Sequence, residues 1–107
     1  MDLMALAAKL DLEMDEFLDF VELFLETSDS DLEAINGAIH EGNREDAAEA
    51  AHSIKGAAAN LGFEKISQAA ASVEMKAREN RLDGAHESAE EIKASLGLLA
   101  DSFRSFS

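Results

Sequence analysis

The stretch Met14–Asn43, MDEFLDFVELFLETSDSDLEAINGAIHEGN, decides the fold. Along it Met14, Leu18, Val21, Leu25, Ser28, Leu32, Ile35 and Ile39 recur at alternating steps of four and three. That spacing is the seam of a helix packed in a bundle. Phe17, Phe20 and Phe24 widen the seam, and Ser28 is its one polar member. The run Thr27-Ser28-Asp29-Ser30-Asp31 has poor helix propensity, and Ser30 with Glu33 could form a capping box, so a break is open here. A true break ordinarily resets the phase of the seam. The phase carries through, and the sequence therefore predicts one helix, straight or bent, over residues 13–41.

The boundaries follow outward from this helix. Gly42 suits the left-handed position after a helix, and Asn43 suits the N-cap of the next, predicted over residues 44–60. Gly62 is a second glycine of the same type. A fourth helix follows over residues 63–80, with Phe63, Ile66, Ala70, Val73 and Ala77 on one face. Asn80 to Gly84 reads as a turn, and the last helix as residues 84–105, with Ala85, Ala89, Ile92, Leu96, Leu99 and Phe103 in register. Upstream, Leu3, Leu6 and Leu10 mark a short helix over residues 2–9, with Asp11 as a cap or turn residue. Short connections make sequential helices antiparallel neighbours. The expected fold is all-α: an up-down-up-down four-helix bundle with a short extra N-terminal helix, forming a single domain over residues 1–107.

Composition agrees and narrows the function. The chain has 107 residues, no proline and no cysteine, and a formal net charge of −14. Without cysteine there is no disulfide and no thiolate metal site. The charge argues against nucleic acid and anionic membranes as partners. No apolar run approaches the ~20 residues that span a bilayer, and MDLMALAAKLDLE lacks the basic and long apolar segments of a signal peptide. The expectation is a cytoplasmic monomer.

The third helix carries the chemistry. At about 100° per residue, Ala47, Ala51, Ile54, Ala58 and Leu61 form its core stripe. His52 falls on a neighbouring stripe with Ala48, Lys55, Gly56 and Ala59. A surface histidine is thus ringed by small residues and one cation. Gly56 costs a helix interior about 1 kcal/mol relative to alanine, so something favours it. Close approach of another body beside His52 would do so; close packing between helices of the same chain is the plainer explanation, but it leaves Lys55 unexplained. A neutral imidazole is a nucleophile, and one nitrogen can be modified while the other keeps its proton. A cation one turn away would stabilise an anion carried on that ring, which suits a phosphoryl group.

His52-Ser53-Ile54-Lys55-Gly56 followed by Asn60-Leu61-Gly62-Phe63 resembles the signature of histidine-containing phosphotransfer (HPt) domains. The local wording is similar to the phosphotransfer domain of chemotaxis histidine kinases. The resemblance implies that His52 is the phosphoacceptor, at Nε2, that Lys55 contacts the phosphoryl oxygens, and that Gly56 lets a partner approach. It also implies a Gln or Glu on the following helix that accepts a hydrogen bond from the histidine Nδ1–H. That position is Glu74, which flanks the core stripe of the fourth helix; its plainer role is a solvated glutamate paired with Arg78. Ala48, Gly56, Ala59, Arg78 and Phe20 are the candidate docking residues, Phe20 lying furthest of the three phenylalanines from the seam.

The function implied is a histidine phosphocarrier in a two-component phosphorelay, taking a phosphoryl group from a receiver-domain aspartate and passing it to another receiver. The chain would need no cofactor of its own, Mg²⁺ being supplied by the response-regulator receiver, and it has no Gly-rich nucleotide loop, so it is not read as a kinase. Two alternatives stand beside this: direct phosphorylation by the ATP-binding domain of a sensor histidine kinase, and a helical interaction protein without chemistry. A metal site from His40, His52 and His86 is disfavoured, because the three belong to separate helices and no His-x-x-His pair is present.

Overall fold

The computed structural model describes residues 2–106. Five helices make up the described chain: α1 (Leu3–Lys9), α2 (Met14–Glu41), α3 (Arg44–Leu61), α4 (Glu64–Arg78) and α5 (Leu82–Arg104). At 1.5 Å per residue, the 28 residues of α2 account for the 42 Å long axis of the molecule. The helix runs unbroken through the Thr27–Asp31 segment, as the continuous seam requires. Thr27 is accommodated by bonding its hydroxyl back to the carbonyls of Leu23 and Phe24, and Ser28 is buried.

The helix ends have local causes. Gly42 and Gly62 adopt φ of 73° and 83°, and each amide bonds back into the preceding turn. Asn43 caps α3 by accepting from the Asp46 amide. Glu13 and Glu16 form a reciprocal capping box at the start of α2, so Asp11 is a turn residue with φ of 57° and not the cap. Phe63 precedes α4, and α5 starts at Leu82, which places Gly84 inside its first turn. A Cβ there would lie 3.1 Å from Lys76 Cδ. The missing side chain lets the lysine stem cross α5 and reach Ser88, which also bonds Ser72 at 2.9 Å.

The four long helices close a ring in which α2 contacts α3 and α5, and α4 contacts α3 and α5. Phe17, Val21, Phe24, Ile35, Ile54, Ile66, Val73, Ile92 and Leu99 fill the core. Phe63 packs on Phe24 and Phe17 at ring-centroid distances of 5.2 and 6.3 Å. Leu3 and Ala7 of α1 join the same core at one end. The α3–α4 pair is the most extensive contact in the bundle, and both helices bury alanine: Ala47, Ala51 and Ala58 on α3, Ala70 and Ala77 on α4. Small side chains bring the two helix backbones together, and short polar groups then reach across the seam. Among the described residues, no helix is long and apolar enough to cross a membrane.

Candidate functional site

His52 stands on the outer side of α3 with its side chain 65% exposed, while Glu74 of α4 is 12% exposed beside it. Glu74 Oε2 lies 3.0 Å from His52 Nδ1. Lys55 Nζ donates to Glu74 Oε1 at 2.6 Å, and Arg78 donates to Oε2 at 3.0 Å. One carboxylate therefore gathers the histidine and both nearby cations. Burial pushes the Glu74 carboxyl up, but the hydrogen bonds from Lys55 and Arg78 and the charges of Lys55 and His52 outweigh it and hold the group below the usual carboxylate range. An ionised carboxylate only accepts hydrogen bonds, so the proton sits on His52 Nδ1. In the neutral ring the lone pair is then on Nε2, on the side away from Glu74. The arrangement fixes both tautomer and ring orientation.

The expected Glu74–Arg78 pairing and the expected Glu74–His52 bond are both present on the same carboxylate. Lys55 is turned towards Glu74, a contact the sequence reading did not anticipate. Gly56 and Ala59 are exposed on the same face of α3. An added Cβ at Gly56 would meet nothing within 4 Å. Packing inside this chain therefore does not require the glycine, which removes the plainer explanation for it.

One docking residue needs correcting. Ala48 is fully buried, in a small cluster with Ala38, Ala47 and Ala77. It shares an angular stripe with His52, but α3 is flanked by α2 and α4 together, and at its N-terminal end the buried arc is wider than one stripe. A partner cannot touch it. Phe20 is 49% exposed, whereas Phe17 and Phe24 are core. Phe20, Leu23 and Leu10 border an apolar groove of about 490 Å³ whose other wall is Ala57, Asn60 and Leu61 of α3. That wall begins just over one turn beyond His52. His40 lies in the last turn of α2 and His86 lies 3.9 Å from Glu90 on α5, and among the described residues no three potential metal ligands come together.

Sequence reasoning missed Ser67. Its hydroxyl donates across the seam to the Lys55 carbonyl at 3.2 Å. Ser67 precedes Glu74 by two helical turns on the same face of α4, which was the available signal.

The chain and its fold match known proteins. The family model described as the Hpt domain matches residues 19–102. The crystal structure of histidine-containing phosphotransfer protein B (HptB) from Pseudomonas aeruginosa PAO1 superposes with a TM-score of 0.85 at 23% identity, covering 98% of this chain and 91% of that one. No curated protein sequence matches the chain significantly. The match over most of the chain, together with a histidine oriented by a buried carboxylate on the face of the bundle, shows that the chain belongs to the Hpt domain family.

Proposed function

We propose that this chain is a histidine phosphocarrier of a two-component phosphorelay, with His52 as the residue that is phosphorylated. One observation carries the assignment. Glu74 holds the proton on Nδ1 at 3.0 Å, so the free lone pair is on Nε2 of an exposed ring. Attack by Nε2 on the phosphorus of a receiver phospho-aspartate forms the N–P bond as the P–O bond to the aspartate breaks. The aspartate leaves as carboxylate, and Nδ1 keeps its proton on Glu74. Transfer to a second receiver is the reverse with another aspartate. Such transfer depends on positioning and charge rather than covalent assistance from the carrier.

The receiver supplies the Mg²⁺ and the acidic pocket, and ATP is used by a partner and not by this chain. Gly56 and Ala59 give the receiver close access to the α3 backbone beside His52. Phe20 and the groove between α2 and α3 offer apolar area further along α3, from Ala57 to Leu61, and Arg78 lies at the edge of the site. A cytoplasmic, monomeric carrier accords with this role. The test has two arms: incubation with phosphorylated receiver domains, and incubation with a sensor-kinase catalytic domain and ATP. Label on His52 from receivers supports the relay carrier. Label only from the kinase arm makes this a kinase's own phosphotransfer domain, and label from neither overturns the assignment.

A further inference from the structure

Glu74 holds three partners with two oxygens, and the division is unequal. Lys55 has Oε1 to itself, while His52 Nδ1 and Arg78 share Oε2. Lys55 can therefore leave without disturbing the oxygen that orients the ring. Its backbone would stay in place, because Ser67 holds its carbonyl, and its ammonium moves on a flexible four-carbon stem. Arg78 sits one turn along the same helix as Glu74 and bonds the oxygen that must remain with the histidine.

Charge counting gives the division a purpose. With the ring neutral, as attack by Nε2 requires, the site holds one carboxylate and two cations, a surplus of one positive charge. Phosphoryl transfer adds one negative charge: the phosphoryl group carries two, and the ring, now bonded at Nε2 and still protonated at Nδ1, carries one positive. If Lys55 were the sole cationic side chain on Glu74 besides the ring, its move to the phosphoryl group would leave the carboxylate with His52 as its one partner, and the ring's positive charge is already offset by the phosphoryl group it carries. With Arg78 in place the carboxylate keeps a cation.

We propose that Arg78 is a positioning residue, the standing counter-ion of Glu74, which releases Lys55 from Oε1 to the phosphoryl group on His52. The proposal rests on the phosphocarrier reading. It separates the two cations: Lys55 moves and touches phosphate, whereas Arg78 stays and does not.

Phosphoramidate tests this without any protein partner, so docking makes no contribution. His52 Nε2 forms the N–P bond as the donor's P–N bond breaks, and ammonia leaves with the bonding pair from the zwitterionic donor. The phosphohistidine half-life is measured in wild type, Arg78→Ala and Arg78→Lys, and in Glu74→Gln with and without Arg78→Ala. Far-UV circular dichroism checks that each variant is folded. The Lys55 ammonium is followed by ¹⁵N NMR. Arg78→Ala should shorten the half-life about fivefold, the scale of a partly exposed ion pair, and Arg78→Lys should restore most of it. In the Glu74→Gln background Arg78→Ala should have no effect. The Lys55 signal should shift on phosphorylation of wild type and not of Arg78→Ala. An equal loss in both backgrounds would mean that Arg78 contacts phosphate itself and would overturn the proposal, as would an unmoved Lys55 signal in phosphorylated wild type. Folded wild type that takes no label would instead remove the phosphocarrier reading, and this inference with it.

Discussion

Glu74→Gln perturbs the site while keeping its shape. The glutamine has one carbonyl oxygen where the carboxylate has two. Placed at the Oε2 position, that oxygen still accepts from His52 and Arg78, but the amide group then faces the Lys55 ammonium at 2.6 Å, donor against donor. Turned the other way, it keeps Lys55 and opposes the other two. Either way one charge-assisted bond is lost and the rest lose their charge. Lys55 and Arg78 are 34% and 59% exposed and can turn to water, so each loss is worth about 0.5–1 kcal/mol and not the value of a buried pair. The variant should be about 1–2 kcal/mol less stable at pH 7, a fall of about 5–10 °C in Tm for a domain of this size. The pH dependence has a definite sign. The Glu74 carboxyl is held below its ordinary value in the folded chain. Its contribution is therefore complete above the unfolded-state pKa of about 4.3 and is lost as the pH falls through the folded one. Other carboxylates titrate in the same range, so the quantity to read is the gap between wild type and variant. Thermal unfolding followed by far-UV circular dichroism at a series of pH values gives it. A gap that stayed constant from about pH 8 to about pH 3, or a variant as stable as wild type at pH 7, would refute the reasoning.

Gly56 has open space around it, so Gly56→Ala should stabilise the domain by about 0.5–1 kcal/mol in urea unfolding. Gly56→Leu should fold normally and label normally with phosphoramidate, yet slow transfer from a receiver at least about tenfold, since only close approach of a protein partner is blocked. Gly62→Ala should destabilise by about 1–2 kcal/mol, because φ is +83° and a Cβ would lie 3.2 Å from Leu6 Cδ2; the urea midpoint reports it. Phe20→Asp should leave Tm within about 2 °C, its ring being half exposed and outside the core, and should weaken receiver binding at least about tenfold by titration calorimetry.

Most of the bundle was legible because its signals are local. Gly42 and Gly62 end helices where a left-handed residue is needed, and the Met14–Ile39 seam keeps one phase through a stretch whose propensities argue for a break. Burial of the seam outweighs a few tenths of a kcal/mol per residue of poor propensity. His52 and Gly56 were legible as a pattern, and Glu74 by its spacing within the resembled family together with its place beside the core stripe. Ala48 was misplaced because a helical wheel fixes angle and not how many neighbours surround a helix, and two helices cover α3 at that end. The Lys55–Glu74 bond, the Ser67 bond and the Lys76–Ser88–Ser72 contact all cross between helices. They depend on how close the alanine faces bring α3 to α4 and how Gly84 lets a lysine cross α5, distances that no spacing within one helix encodes.

The central claim is that His52 carries a phosphoryl group between proteins. The most direct measurement is intact mass after incubation with a phosphorylated receiver domain, on wild type and on His52→Gln, with acid treatment as a control. The account predicts a phosphate-sized gain on wild type that acid removes and that His52→Gln does not show. Label that survives in His52→Gln, or resists acid, would contradict it.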